Sequence, residues 1–283
     1  MYRIGLSSCG FDLTEENFIK LQESKIDAIE ISMSTDKYKK INYNELKSLS
    51  NKYGIELWSY HLPFYPFEKI NVASLDKEVR KYTIEYLADF IKRGSDIGID
   101  KFIIHPSGEP NAENEREEKL KRSMESIDIL AEIAYKEGAV IAVEDLPRTC
   151  LGNTAEEILK LISVNDKLKI CFDTNHLLQD NNINFMEKCA DKIITIHVSD
   201  YDFINERHWV PGEGKINWLE FFNKFKQINY NGVWMYEISL STESTMKRNR
   251  KLSFNDFYIN AQNIFSGKNP LNNIENLTRE YLV

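Results

Sequence analysis

The stretch Ile170–His176, reading Ile-Cys-Phe-Asp-Thr-Asn-His, decides how the chain is read. Taken as a strand, it places Cys171 and Asp173 on one face and Ile170 and Phe172 on the other. An acidic side chain then arrives at the inner, C-terminal end of a buried strand, with His176 just beyond it. Carboxylate oxygen and imidazole nitrogen together suit a divalent metal. Working outward, Leu168–Asp173 is one of eight similar runs; the others are Arg3–Ser8, Ala28–Met33, Ile55–His61, Lys101–His105, Ala139–Glu144, Ile193–His197 and Gly232–Glu237. Amphipathic segments alternate with these runs, the pattern of repeated βα units and a parallel sheet. Thr14 and Thr154 have N-cap spacing, and Ser74 predicts the cap of a long helix reaching about Ile97. Gly138 suits a helix C-terminus, and Ile216–Lys224 predicts a further helix. No linker rich in Pro, Gly or Ser interrupts the 283 residues. The expectation is an α/β fold: a single (β/α)8 TIM barrel over residues 1–283, with an extra C-terminal helix packed outside after Lys268.

Composition narrows the function. A net charge of −8 and a pI near 5.3 argue against a polyanion as the default partner. No apolar run is long enough to span a bilayer, so no membrane role is expected. Met1 opens directly into a strand-like run without a signal-peptide pattern. Cys9, Cys150, Cys171 and Cys189 fall in no paired spacing, which points to a reducing, cytoplasmic setting. A homo-oligomer is compatible with such a chain.

Strand parity then sorts the side chains, because barrel strands bury one face inside and the other against helices. Counting back from each polar terminal residue, the inward set holds Leu57, Ser59, His61, Ile103, His105, Val140, Ala142, Glu144, Cys171 and Asp173. It continues with Ile193, Thr195, His197, Val233, Met235 and Glu237. The outward set (Phe102, Ile104, Ile141, Val143, Ile170, Phe172, Ile194, Ile196, Trp234, Tyr236) is uniformly apolar. Six of the eight runs thus end, at the C-terminal mouth, in an inward ionisable residue. All five histidines of the chain (His61, His105, His176, His197, His208) lie in strand ends or the loops after them. Converging titratable groups in a cleft mark function.

Glu144, Asp173, His197 and Glu237 make the best metal site, and three carboxylates with one imidazole suit Mn²⁺, Mg²⁺, Co²⁺ or Zn²⁺. Buried carboxylates need a cation, and no Lys or Arg is expected on these inward faces near the mouth. Trp58, Tyr60, Phe64 and Trp209 are candidate stacking surfaces for a sugar ring or ordinary packing. Gly212 and Gly214 either offer N–H groups to a phosphate or form a tight turn, the commoner meaning.

The phrases His61-Leu-Pro, Ile103-Ile-His105-Pro, Val143-Glu144-Asp, Phe172-Asp173-Thr-Asn-His176, Ile196-His197-Val-Ser-Asp200, Pro211-Gly-Glu-Gly214 and Tyr236-Glu237 resemble the xylose-isomerase-like barrels. That superfamily includes sugar-phosphate isomerases and epimerases, ketose 3-epimerases, inosose dehydratases and family IV apurinic endonucleases. Likeness to the ketose 3-epimerases implies one divalent ion on Glu144, Asp173, His197 and Glu237. It also implies that Glu144 and Glu237 double as acid and base on opposite faces of a sugar, about a metal-stabilised enediolate. His61, His105, His176, Arg207 and His208 become substrate-binding candidates, though the Tyr201–Pro211 loop is longer than the epimerase pattern. The resemblance therefore implies a metal-dependent isomerase or epimerase of a small sugar, sugar phosphate or polyol.

The rival within the superfamily is the endonuclease. Likeness to it implies a three-zinc centre: His61 and His105 with Glu144 bridging, then Glu144, Asp173, His197 and Glu237, then His176, Glu206 and His208. Glu206 departs from that family, which has Asp there, and DNA is a partner only under this alternative. The run Lys247, Arg248, Arg250 and Lys251 is its one basic stretch, or else a solvated helix start. A lyase of inosose-dehydratase type is the third reading.

Overall fold

In the computed structural model, which describes residues 2–240, 245–275 and 277–283, the alternation of runs becomes eight parallel strands. They are β1 (Arg3–Ser7), β2 (Ala28–Ile31), β3 (Glu56–His61), β4 (Lys101–Ile104), β5 (Val140–Glu144), β6 (Lys169–Asp173), β7 (Ile193–His197) and β8 (Val233–Tyr236). Consecutive strands pair from β1 to β7, and β8 pairs with β1. Just past β7, Val198 N–H donates to Met235 O at 2.8 Å and Glu237 N–H to Val198 O at 3.3 Å, closing the remaining seam. The outer layer is α1 (Glu15–Glu23), the short α2 (Thr35–Tyr38), α3 (Tyr43–Tyr53), α4 (Lys77–Asp96), α5 (Arg116–Lys136), α6 (Ala155–Ile162), α7 (Asn182–Cys189), α8 (Trp218–Phe225) and α9 (Phe254–Phe265). The chain is a (β/α)8 barrel that ends its last unit in a C-terminal helix.

Capping residues set the helix starts. Thr14 and Thr154 accept from Asn17 N–H and Glu157 N–H as expected. The long helix is capped by Asp76, not Ser74, because Asp76 Oδ1 accepts from Glu78 N–H at 2.8 Å. Ser74 Oγ instead accepts from Asp76 N–H, one step upstream. Gly138 takes φ +75°, a left-handed conformation that only glycine adopts without strain. The C-terminal helix is α9, which lies before Lys268. After Lys268 the described residues form turns and then β10 (Arg279–Tyr281), which pairs antiparallel with β9 (Met246–Arg248). No helix among the described residues is long and apolar enough to cross a membrane.

Two register shifts correct the parity count. Between Ile29 and Glu30 the β2–β3 register slips by one residue, and between Ile170 and Cys171 the β6–β7 register does the same. A slip of one residue exchanges the faces of everything before it. Leu57 and Ile193, expected inside, therefore pack in the helix-facing core. Trp58 takes the interior place with Ala28, Val233 and Met235, and Ile194 joins Ile103, Ala142 and Cys171. Gly5 gives this floor its room: a Cβ there would meet Val233 Cγ1 at 2.6 Å. Above that apolar floor the interior becomes polar.

Candidate metal centre

Glu144, at the end of β5, is the hub. Its Oε1 lies 2.7 Å from His197 Nδ1. Its Oε2 lies 3.2 Å from His61 Nε2 and 3.0 Å from His105 Nε2. His197 Nδ1 is also 3.4 Å from Glu237 Oε2 and 3.8 Å from Asp173 Oδ2. One donor atom from each of Glu144, Asp173, His197 and Glu237 lies within 4.8 Å of the others. The same limit holds for three further groups, His61–His105–Glu144, Glu144–Cys171–His197 and His176–Glu206–His208. All ten candidate residues thus gather at the mouth, and nine of them form groups able to hold an ion.

Hydrogen bonds behind the rings aim them. His61 Nδ1 lies 3.0 Å from Leu62 O, His176 Nδ1 2.8 Å from Asp145 O, and His208 Nδ1 3.0 Å from Glu237 O. A carbonyl only accepts, so each Nδ1 carries hydrogen and each Nε2 faces the centre. The fit to a cation has one further mark. Asp173 Oδ2 is buried and has no hydrogen-bond partner, yet it stands 3.7 Å from His176 Nε2. An unpaired buried carboxylate oxygen is costly, and a divalent ion on this donor set would satisfy it.

Electrostatics separate the two carboxylates expected to move protons. Burial and the nearby Glu144 charge push the Glu237 carboxyl up to about 7, against the pull of His197. Burial acts on Glu144 too, but His197, His105 and His61 outweigh it and hold that carboxyl well below the ordinary range. The same attraction, opposed by burial, raises His61 to about 9. His176 is likewise raised to about 9, its burial outweighed by Asp173, Glu144 and Glu206.

The site corrects several expectations. The inward strand faces are not the only source of charge at the mouth: Arg148, from the loop after β5, pairs with Glu206 (2.7 Å) and with Glu109. The Arg207 guanidinium is held by Asp202 at 2.9 Å, and its backbone N–H, with that of His208, donates to Asn175 Oδ1. Trp58 is in the floor, where its Nε1 donates to Thr195 at 3.1 Å. Tyr60 packs outside the barrel, and Trp209 is buried against Tyr281. Phe64 alone of the four lines the cavity, stacked on His105 at 4.0 Å. The turn meaning holds for Pro211–Gly214. Gly212 N–H donates to Asp200 Oδ2 at 2.7 Å, and a Cβ on Gly214 would collide with the same carboxylate, so neither glycine presents a phosphate cradle. Of the basic run, Arg248 pairs with buried Glu213 and Arg250 with Asp256, each at 2.6–2.7 Å.

Sequence reading missed Glu30, Asp145, Arg148 and Asn175. Glu30 carried a signal, as the one charged residue in the Ala-Ile-Glu-Ile run of β2. Asp145 holds Asp173 by accepting its N–H at 2.7 Å. Asn175 and Arg148 act through loop geometry, which parity does not report.

A closed barrel with side chains able to hold an ion gathered at the carboxyl ends of its strands defines the class. The chain belongs to the xylose isomerase-like TIM barrel family, whose model matches residues 10–253. A solved structure described as a D-tagatose 3-epimerase-like protein superposes with a TM-score of 0.74 at 30% identity, covering 84% of this chain and 90% of that one. D-psicose 3-epimerase of Ruminiclostridium cellulolyticum is 26% identical over 249 residues, 82% of this chain and 80% of its own length. A probable endonuclease 4 of Thermoplasma acidophilum is 27% identical over 189 residues, 60% of this chain and 63% of its own.

Proposed function

We propose that the protein is a divalent-metal-dependent isomerase or epimerase acting on a small sugar or sugar-like polyol. One observation carries the reading: two buried carboxylates, Glu144 and Glu237, stand 2.7 and 3.4 Å from His197 Nδ1 and face one cavity. Glu144, Asp173, His197 and Glu237 would hold the ion, which supplies a Lewis acid for negative charge on substrate oxygens. One of the two carboxylates would accept the proton α to a carbonyl, and the other would return a proton from the opposite side. His176 and His208 reach the cavity and suit substrate hydroxyls. The cavity, about 580 Å³, has the volume of a small-ligand pocket and an apolar wall in Phe64, Phe67 and Leu146. Likeness to D-psicose 3-epimerase and to the D-tagatose 3-epimerase-like structure supports the same class.

The test is solvent-deuterium uptake. Metal-loaded protein is incubated with a panel of ketoses and their phosphates in deuterated buffer. Label at the carbon next to the carbonyl is expected for at least one sugar, and no label in any would sink the reading.

A second reading has its own observation. His176, Glu206 and His208 form a further ion-holding group despite the longer Glu206 arm, and a probable endonuclease 4 is among the relatives. A phosphodiesterase with about three zinc ions is then the alternative. It fits the charge of −8 poorly, since duplex binding needs a basic face. Cleavage of an abasic-site duplex, lost in Glu206→Ala, is the discriminating assay.

A further inference from the structure

Below the metal ligands, β2 places a carboxylate that the chemistry above does not use. Glu30 is fully buried. Its Oε2 lies 3.0 Å from His197 Nε2 and accepts from Ser59 Oγ at 2.7 Å. Its Oε1 accepts from Ser7 Oγ at 3.1 Å. Three neighbouring strands therefore converge on one carboxylate, and its salt-bridge partner is His197 on the far side of the barrel. Such burial costs several kcal/mol, while the layer beneath is apolar (Ala28, Trp58, Val233, Met235). Packing alone would be served by an aliphatic side chain.

The hydrogen-bond pattern says what the carboxylate does. An ionised carboxylate only accepts, so His197 Nε2 must carry hydrogen toward it. Nδ1 is the atom facing Glu144, Glu237 and Asp173, and with Nε2–H held by Glu30 it is the nitrogen open to an ion once its own hydrogen, turned toward Glu144 at 2.7 Å, is displaced. Two serine hydroxyls hold the Glu30 carboxylate in place, so the ring can neither turn over nor exchange tautomers without losing this bond.

We infer that Glu30 is a positioning residue, which fixes His197 in its Nε2–H form and presents Nδ1 as a metal donor. This inference rests on the metal-centre reading for His197, and it reaches beyond the four ligands to a strand that contributes none of them. A carboxylate behind a metal-bound imidazole also raises the basicity of the ring, so its loss weakens the ion's hold.

The test uses Glu30→Met, which removes the acceptor at similar volume, and Glu30→Gln, which keeps an acceptor without the charge. Cobalt affinity is measured by chelator competition, and the His197 tautomer by a proton–nitrogen correlation spectrum of the metal-free protein. Wild type is expected to show hydrogen on Nε2. Glu30→Met should lose that form and bind cobalt at least about 10-fold more weakly, with Glu30→Gln in between. Folded variants with wild-type affinity and an unchanged His197 spectrum would overturn the inference. If Glu30→Met does not fold, the Glu30→Gln affinity decides. If wild type binds no cobalt, the metal-centre reading falls, and the spectra alone decide whether Glu30 sets the tautomer.

Discussion

Glu144, Asp173 and His197 stand at strand ends and expose 1% of their side chains or less, whereas Glu206 and His208 stand on the loop after β7 and expose 31% and 27%. Both groups present ion-holding atoms within the same limit, but they are built differently. The inner group is fixed by backbone ladders and by acceptors behind its rings. The outer group depends on loop conformation: His208 takes φ +50°, Asn175 tethers its N–H, and Arg148 pulls on Glu206. Arg148 itself takes φ +52°. Non-glycine residues in the left-handed region cost about 1–3 kcal/mol each and gather at functional sites. The difference teaches where rigidity is placed: Glu144, Asp173 and His197 on strand ends, Glu206 and His208 on a loop.

The sharpest way to break this comparison is Glu237→Gln. The amide keeps the shape and an oxygen donor but cannot cycle a proton. Substrate deuterium exchange should fall about a hundred- to ten-thousand-fold, with the circular-dichroism spectrum unchanged. Exchange at the wild-type rate would remove Glu237 from the mechanism.

Next in size is the floor. Trp58→Ala should destabilise the barrel by about 3–5 kcal/mol, read by urea unfolding, because the ring fills the interior beneath the inner group. A loss below about 1 kcal/mol would mean that the floor is not what holds those strand ends.

Titration separates the two states of the centre. Glu237 (about 7), His61 and His176 (about 9) all have folded pKa values above their ordinary 4.5 and 6.5. Such groups stabilise the metal-free fold below the ordinary value, and that contribution disappears as pH rises through the raised one. The melting temperature of metal-free protein should therefore fall between pH 6.5 and 9. A divalent ion beside these groups competes with their protons, so its affinity should rise over that interval. A flat melting profile with pH-independent affinity would contradict the assigned protonation.

The smallest effect is expected in the outer group. Glu206→Ala should leave stability within about 1 kcal/mol and isomerisation largely intact, while lowering ion content at the third group. Turnover abolished by this change alone would shift the account toward the phosphodiesterase.

Much of the inner group was legible because period-two parity carries an inward residue straight to the mouth. Asp173, His197, Glu144 and Glu237 needed only that count. Leu57 and Ile193 were misassigned because a one-residue slip leaves no mark in an apolar strand. Glu206 and His208 were reachable only through a family pattern, since nothing in loop composition says where a chain of that length turns back. Arg148 was missed because its long side chain enters the cavity from outside the strand pattern. The tail helix failed for a related reason: β10 is three residues long and gains its partner, β9, only through tertiary pairing.

The most direct measurement is the metal content of protein purified without a metal-binding tag, alongside Asp173→Ala. Wild-type protein should carry about one or more divalent ions per chain, with the inner ion lost in Asp173→Ala. Wild-type protein that stays metal-free after equilibration with Mn²⁺, Mg²⁺, Co²⁺ and Zn²⁺ would contradict the metal-centre reading.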